Sequence, residues 1–228
     1  MTGTLINAAA VALGGSAGLL LGSRLSERSR ETVMDGIGLV TVVLGTQMAL
    51  KTQNPLVVLL AMLLGALVGE WARIEDRLAG LGDALKARVR GRQGARFTEG
   101  FVAASLLFCV GPMAILGSVD DGLRGDYTVL AVKSVLDGFS ALAFASTMGV
   151  GVLFSIPAIL IYQGGLTLLA GTVQAVFTDP VVAELTATGG VMVIGIGFRL
   201  LNIRDIRVGN FLPALLFAPL ILAAFQTL

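Results

Sequence analysis

Eight apolar segments, each long enough to cross most or all of a bilayer, alternate with short charged ones. Nothing else in the chain limits its fold as tightly. The segments run at about 4–22, 32–50, 55–72, 100–119, 127–148, 151–177, 182–201 and 209–227. A membrane core about 30 Å thick is crossed by a helix rising 1.5 Å per residue. In hydrocarbon every backbone N–H and C=O must be paired within the protein, which leaves helices or closed barrels. The apolar stretches are continuous rather than alternating, which argues against a barrel. Charged residues are 14% of the 228 positions, against about 25% in soluble domains. Mean hydropathy is +0.88. The expected fold is therefore an all-α polytopic membrane protein with about eight transmembrane helices.

Several chemistries are excluded by composition. The chain has no histidine, the commonest metal ligand and general base. Its single cysteine, Cys109, can form neither an intrachain disulfide nor a cysteine zinc site. No nucleotide-binding loop is present, so ATP-driven transport would need another subunit; no cofactor is expected apart from Na⁺ as a candidate bound ion. The N-terminus lacks a basic n-region, so the first apolar segment is expected to remain as a span.

Charge placement gives an orientation. With eight crossings, thirteen basic residues fall on one side: Arg24, Arg28, Arg30, Arg73, Arg77, Lys86, Arg88, Arg90, Arg92, Arg96, Arg199, Arg204 and Arg207. Lys51, Arg124 and Lys133, three residues, fall on the other. The positive-inside rule places both termini outside an inner membrane. Asp120, Asp121, Asp126, Asp179 and Glu184 then count as outer-side acids. In the connector 74–98, Ile74, Leu78, Leu81, Leu85 and Val89 recur at helical spacing among basic residues, as on an amphipathic surface helix. Its basic tail reads as an orientation signal and not as a nucleic-acid patch.

The chain also repeats itself. Val33, Asp35, Gly36, Pro55, Leu64, Leu67 and Gly69 recur 102 residues later as Val135, Asp137, Gly138, Pro157, Leu166, Leu169 and Gly171. Each copy holds three spans, so the copies would lie in opposite orientations, as in many secondary transporters. The expected organisation is repeat 1 at 1–73, the connector at 74–98, an inverted repeat 2 at 99–178 and a partial third repeat at 179–228. In the third copy Val193 stands where the aspartate would be.

Gly3-Thr4-Leu5-Ile6-Asn7, Gly14-Gly15, Met34-Asp35-Gly36, Leu136-Asp137-Gly138 and the glycine-rich closing spans are similar to the uncharacterised bacterial inner-membrane family typified by YqgA and YdfK. The resemblance covers essentially the whole chain. It implies a multi-span membrane protein and brings no activity with it.

Function then rests on the polar residues. A carboxylate inside a membrane marks a functional site by default. Asp137 lies about 15 Å along a helix from Tyr127, near the middle of the core, with Lys133 one turn earlier. The pair is either a local charge balance that eases insertion or a cation or proton site. Asp35 is shallower. The Asp-Gly steps at Gly36 and Gly138 are expected to loosen a helix and free carbonyls, Pro157 to break one, and Gln163 to line the site. Gly14, Gly18 and Gly22 form a small-residue stripe that packs helices within the chain or between copies in a homo-oligomer. The leading expectation is a secondary transporter of a small solute or ion, coupled to Na⁺ or H⁺ through Asp35 and Asp137. A cation channel, or a non-catalytic structural or sensory membrane protein, are the alternatives; an enzyme is not expected.

Overall fold

The computed structural model describes residues 1–24, 26–78, 80, 97–109, 112–172 and 177–226. The main elements among the described residues are nine longer α-helices and two 3₁₀ segments. They are α1 (Thr2–Gly22), α2 (Glu27–Ala49), α3 (Pro55–Trp71), α4 (Phe97–Cys109), α5 (Pro112–Arg124), α6 (Thr128–Met148), α7 (Ser155–Leu168), α8 (Asp179–Leu200) and α9 (Ala214–Gln226). The 3₁₀ segments are Gly149–Phe154 and Val208–Phe211. Residues 74–78 are helical; Leu81, Leu85 and Val89 of the expected surface helix lie outside the described residues.

Five helical stretches are long and apolar enough to cross a membrane: Thr2–Gly22, Glu31–Ala49, Thr128–Leu168, Asp179–Leu200 and Val208–Gln226. The pair α4 and α5, bent by 57°, makes a sixth. This differs from the eight expected, for two reasons. Pro55–Trp71 is apolar but only 17 residues long. The expected fifth and sixth spans are joined in one helical stretch of 41 residues.

That stretch is nonetheless folded back. Gly149 has φ 81° and ψ −157°, a conformation open only to glycine, and it ends α6. Before it, α6 runs parallel to α1. Cβ atoms placed on Gly14, Gly18 and Gly22 would lie 2.0, 2.2 and 2.3 Å from the carbonyl oxygens of Gly138, Leu142 and Ser146. After it, the chain returns along α1 the other way, from Leu153 against Gly15 to Gln163 against Asn7. The small-residue stripe of α1 is thus spent inside the chain, at backbone-to-backbone range.

The helices group into two compact units. The first comprises Met1–Ile37 and Leu81–Ala175. In it α4 begins beside the Gly149 turn, where the rings of Phe97 and Phe154 are 5.0 Å apart. Its continuation α5 ends beside the start of α1, where Gly3 N–H donates to Asp121 at 3.0 Å. So α1 and α6 run one way, and α4–α5 and α7 the other. Buried residues of α6 (Leu130, Lys133, Ser134, Asp137, Ala141, Phe144) follow helical spacing, while Val132, Val135, Leu136 and Phe139 are exposed. Such an exposed apolar stripe suits lipid.

The second unit comprises Gly38–Gly80 and Val176–Leu228. Here the C-terminal half of α2 packs antiparallel on α8. A Cβ on Gly45 would lie 2.7 Å from Ile194 N, and one on Gly190 2.4 Å from Ala49 N. In the same way α3 packs antiparallel on α9 and the residues before it, with Gly65 against Ala214 and Gly69 against Asn210. Within the first unit α1 packs with α5, α6 and α7, and within the second α3 packs with α8 and α9.

Two ends are closed by polar groups. Glu184, fully buried on α8, accepts from Thr52 Oγ1 at 2.7 Å, Gln53 N–H at 2.7 Å and Asn54 N–H at 3.0 Å. Asn54 in turn caps α3 by accepting from Leu56 N–H at 3.1 Å. At the other end Glu75 accepts from Arg199 Nη1 at 2.9 Å and Gly209 N–H at 2.7 Å, and Asn210 Nδ2 donates to Glu70 at 2.6 Å. Asn202 (φ 54°) takes the left-handed position that ends α8.

Candidate polar site within the first unit

Asp137 is the tenth residue of the 21-residue α6, about 14 Å from the helix start and close to its middle. The stripe of small residues brings α1 against this part of α6 and points Asn7 at it. Asn7 Nδ2 donates to Asp137 Oδ2 at 3.0 Å and to Gln163 Oε1 at 3.2 Å. Lys133 Nζ pairs with the same Asp137 oxygen across one helical turn. Asn7, Lys133, Asp137 and Gln163, from three helices, are all buried. Two of their atoms, Asn7 Oδ1 and Gln163 Nε2, have no hydrogen-bond partner.

Such an arrangement has specific chemical capacities. The carboxylate and ammonium balance each other, which lowers the cost of both in an apolar medium. The orphan amide oxygen and amide nitrogen offer one acceptor and one donor to a further group. A buried unsatisfied polar atom costs about 1–3 kcal/mol, so the two beside this ion pair leave the layer able to take up further hydrogen bonds.

The other residues singled out by sequence sit elsewhere. Asp35 and Gly36 are exposed on α2 and take no part in this cluster. A Cβ on Gly36 would meet nothing within 4 Å. Helix α6 continues through Gly138, whose carbonyl lies against Gly14 rather than turning toward a ligand. Pro157 falls in the first turn of α7, where a proline lacks no needed donor; the break lies earlier, at Gly149. Among the described residues there is no group of three or more acid, histidine or cysteine side chains able to hold a metal.

Read as sequence, Asn7 belongs only to the amino-terminal family phrase, and Asp121 and Glu184 count as outer-side charges. All three are buried.

The comparisons with known proteins agree on kinship. The family model described as "Protein of unknown function (DUF554)" matches residues 2–223. The chain is 37% identical to the "Uncharacterized protein YqgA" of Escherichia coli (strain K12), over 98% of this chain and 97% of that one. It is 28% identical to the "Uncharacterized membrane protein YdfK" of Bacillus subtilis (strain 168), over 97% of this chain and 96% of that one. No solved structure matches. With nearly its whole length matched, and with apolar helices suited to a bilayer, the chain belongs to the DUF554 family of membrane proteins.

Proposed function

We propose that this protein is a secondary transporter of a small solute or ion in the cell's inner membrane, with both termini outside and the polar layer of the first unit as its binding site. One observation carries the reading. A buried ion pair, Lys133–Asp137, lies halfway along a membrane-length helix beside two amides that still have a free acceptor and a free donor. Asp137 carries the coupling, Lys133 balances its charge, and Asn7 and Gln163 supply the hydrogen bonds that recognise the ligand. No bond is made or broken in the substrate. Asp35, exposed on α2, is not required. The sequence matches at an offset of 102 residues, read as an inverted repeat, favour the same reading by analogy with transporters built from opposed three-span units.

The test is solute uptake into liposomes holding the purified protein, driven by an imposed H⁺ or Na⁺ gradient. Wild type accumulates solute and Asp137→Asn does not. Wild-type uptake by a well-folded Asp137→Asn protein removes Asp137 from the mechanism. Single-channel currents in place of saturable uptake would make the protein a channel.

A further inference from the structure

We propose that a second buried polar layer, one helical turn nearer the start of α1, is the access route to Asp137, and that the ion it admits is a proton. This deepens the transport reading and rests on it. The second layer consists of Thr4 on α1, Ser118 and Asp121 on α5, and Thr167 on α7, all buried. Thr4 precedes Asn7 by three residues and Thr167 follows Gln163 by four, so each shares a helix face with a member of the inner layer. The layers are about 5–6 Å apart along the helices.

The three helices meet here. Gly3 N–H donates to Asp121 at 3.0 Å. A Cβ on Gly122 would lie 2.2 Å from the Thr167 carbonyl oxygen, and those on Gly3 and Gly117 would both strike Leu130. The hydroxyls of Thr4, Ser118 and Thr167 have no hydrogen-bond partner. With Asn7 Oδ1 and Gln163 Nε2, that makes five orphan polar atoms in the two layers that hold Asp121 and Asp137. A file of waters or hydrogen-bonding solute satisfies them all, and buried waters are held by groups of this kind.

Room, not charge, favours a proton, since either ion adds one positive charge to the pair. A Na⁺ on Asp137 needs several oxygen ligands and would compete with the Lys133 ammonium for the same carboxylate oxygen. A proton needs only one carboxylate oxygen. Lys133 on α6 pairs with Asp137 and Cys109 on α4 lies within electrostatic reach of both; Tyr162 on α7 lies near Cys109, and Asp121 on α5, in the second layer, pairs with the Met1 ammonium at 2.8 Å. A proton arriving past Asp121 binds the Asp137 carboxylate, neutralises it and frees Lys133 from its counter-charge. Loss of that proton to the opposite side restores the ion pair.

Cysteine accessibility tests the route without requiring transport. Thr4→Cys, Ser118→Cys and Thr167→Cys are labelled with a small, membrane-impermeant thiosulfonate. Unsubstituted protein, with Cys109, sets the background, and Ala218→Cys on α9, buried and apolar, is the dry control. The three hydroxyl positions should react on the order of tenfold faster than Ala218→Cys, since a dry site reacts only through local opening. They should do so from the side on which α1 begins. Rates equal to the dry control overturn the route and leave the transport reading standing. In liposomes, uptake should follow a pH gradient and fall on the order of tenfold in Asp121→Asn. Uptake driven by Na⁺ at constant pH overturns the proton assignment. No protein-dependent flux in wild type, with labelling as expected, sinks the transport reading and the proton assignment but not the hydrated route.

Discussion

Neutralising the Lys133–Asp137 pair in steps separates what the pair holds together from what it does. Asp137→Leu leaves the Lys133 ammonium buried without a counter-charge and takes from Asn7 Nδ2 its 3.0 Å acceptor, leaving only Gln163 Oε1 at 3.2 Å. Breaking a buried pair costs about 3–5 kcal/mol, and the lost hydrogen bond about 1 kcal/mol more. Lys133→Met costs less, at the lower end of the same range, because Asp137 keeps the Asn7 donor. The double variant removes both charges and fills their space with apolar groups. It should lie within about 1 kcal/mol of wild type, as replaced ion pairs often do. The coupling between the two positions is therefore several kcal/mol. Equilibrium unfolding in mixed detergent micelles measures all four proteins. Single substitutions costing under about 1 kcal/mol, or effects that simply add, would show that the pair is not buried and coupled as described. The double variant should also be folded and transport-silent.

Three further outcomes follow from individual contacts. Gly18→Ala places a methyl 2.2 Å from the Leu142 carbonyl oxygen and must part α1 from α6. It should cost about 1–3 kcal/mol, whereas Gly36→Ala, with open space around it, should gain up to about 1 kcal/mol from helix propensity; thermal unfolding compares the two. Glu184→Gln turns an amide group toward donors from Thr52, Gln53 and Asn54. It should cost about 1–3 kcal/mol and raise protease cleavage in the 50–54 loop. Hydrogen bonds from the Thr128 side chain and backbone hold the exposed Asp126 carboxyl below the usual carboxylate range. Its contribution is present above that range and lost as pH falls through the lowered value. Asp126→Asn should therefore weaken amide protection at the start of α6 at neutral pH and make no difference in acid.

Much of the fold was legible because a bilayer leaves few choices. Each of the eight apolar segments coincides with a helix or a helix pair, and the gap between segments 127–148 and 151–177 holds Gly149, where φ becomes positive. What hydropathy could not supply was which helix touches which. The pairing of α1 with α6 depends on Gly14, Gly18 and Gly22 meeting Gly138, Leu142 and Ser146, a complementarity between segments more than 120 residues apart. That pairing, and nothing in the local sequence, turns Asn7 from a packing residue into a partner of Asp137. The same limit hid Asp121, which reads as a loop charge until α1 is seen to begin on it. The matched Asp-Gly phrases singled out Asp137 and Asp35 alike, yet one is buried and the other exposed. Repetition in sequence carries no information about the surroundings of each copy.

Uptake from a mixed extract of small solutes into proteoliposomes under an imposed pH gradient, read by mass spectrometry, weighs the transport site most directly. Wild type should concentrate at least one compound that protein-free liposomes do not, and Asp137→Asn, equally folded and inserted, should concentrate none. Equal accumulation by the two proteins, or none by wild type under any gradient, would contradict the account and leave Asn7, Lys133, Asp137 and Gln163 as a polar clamp between helices.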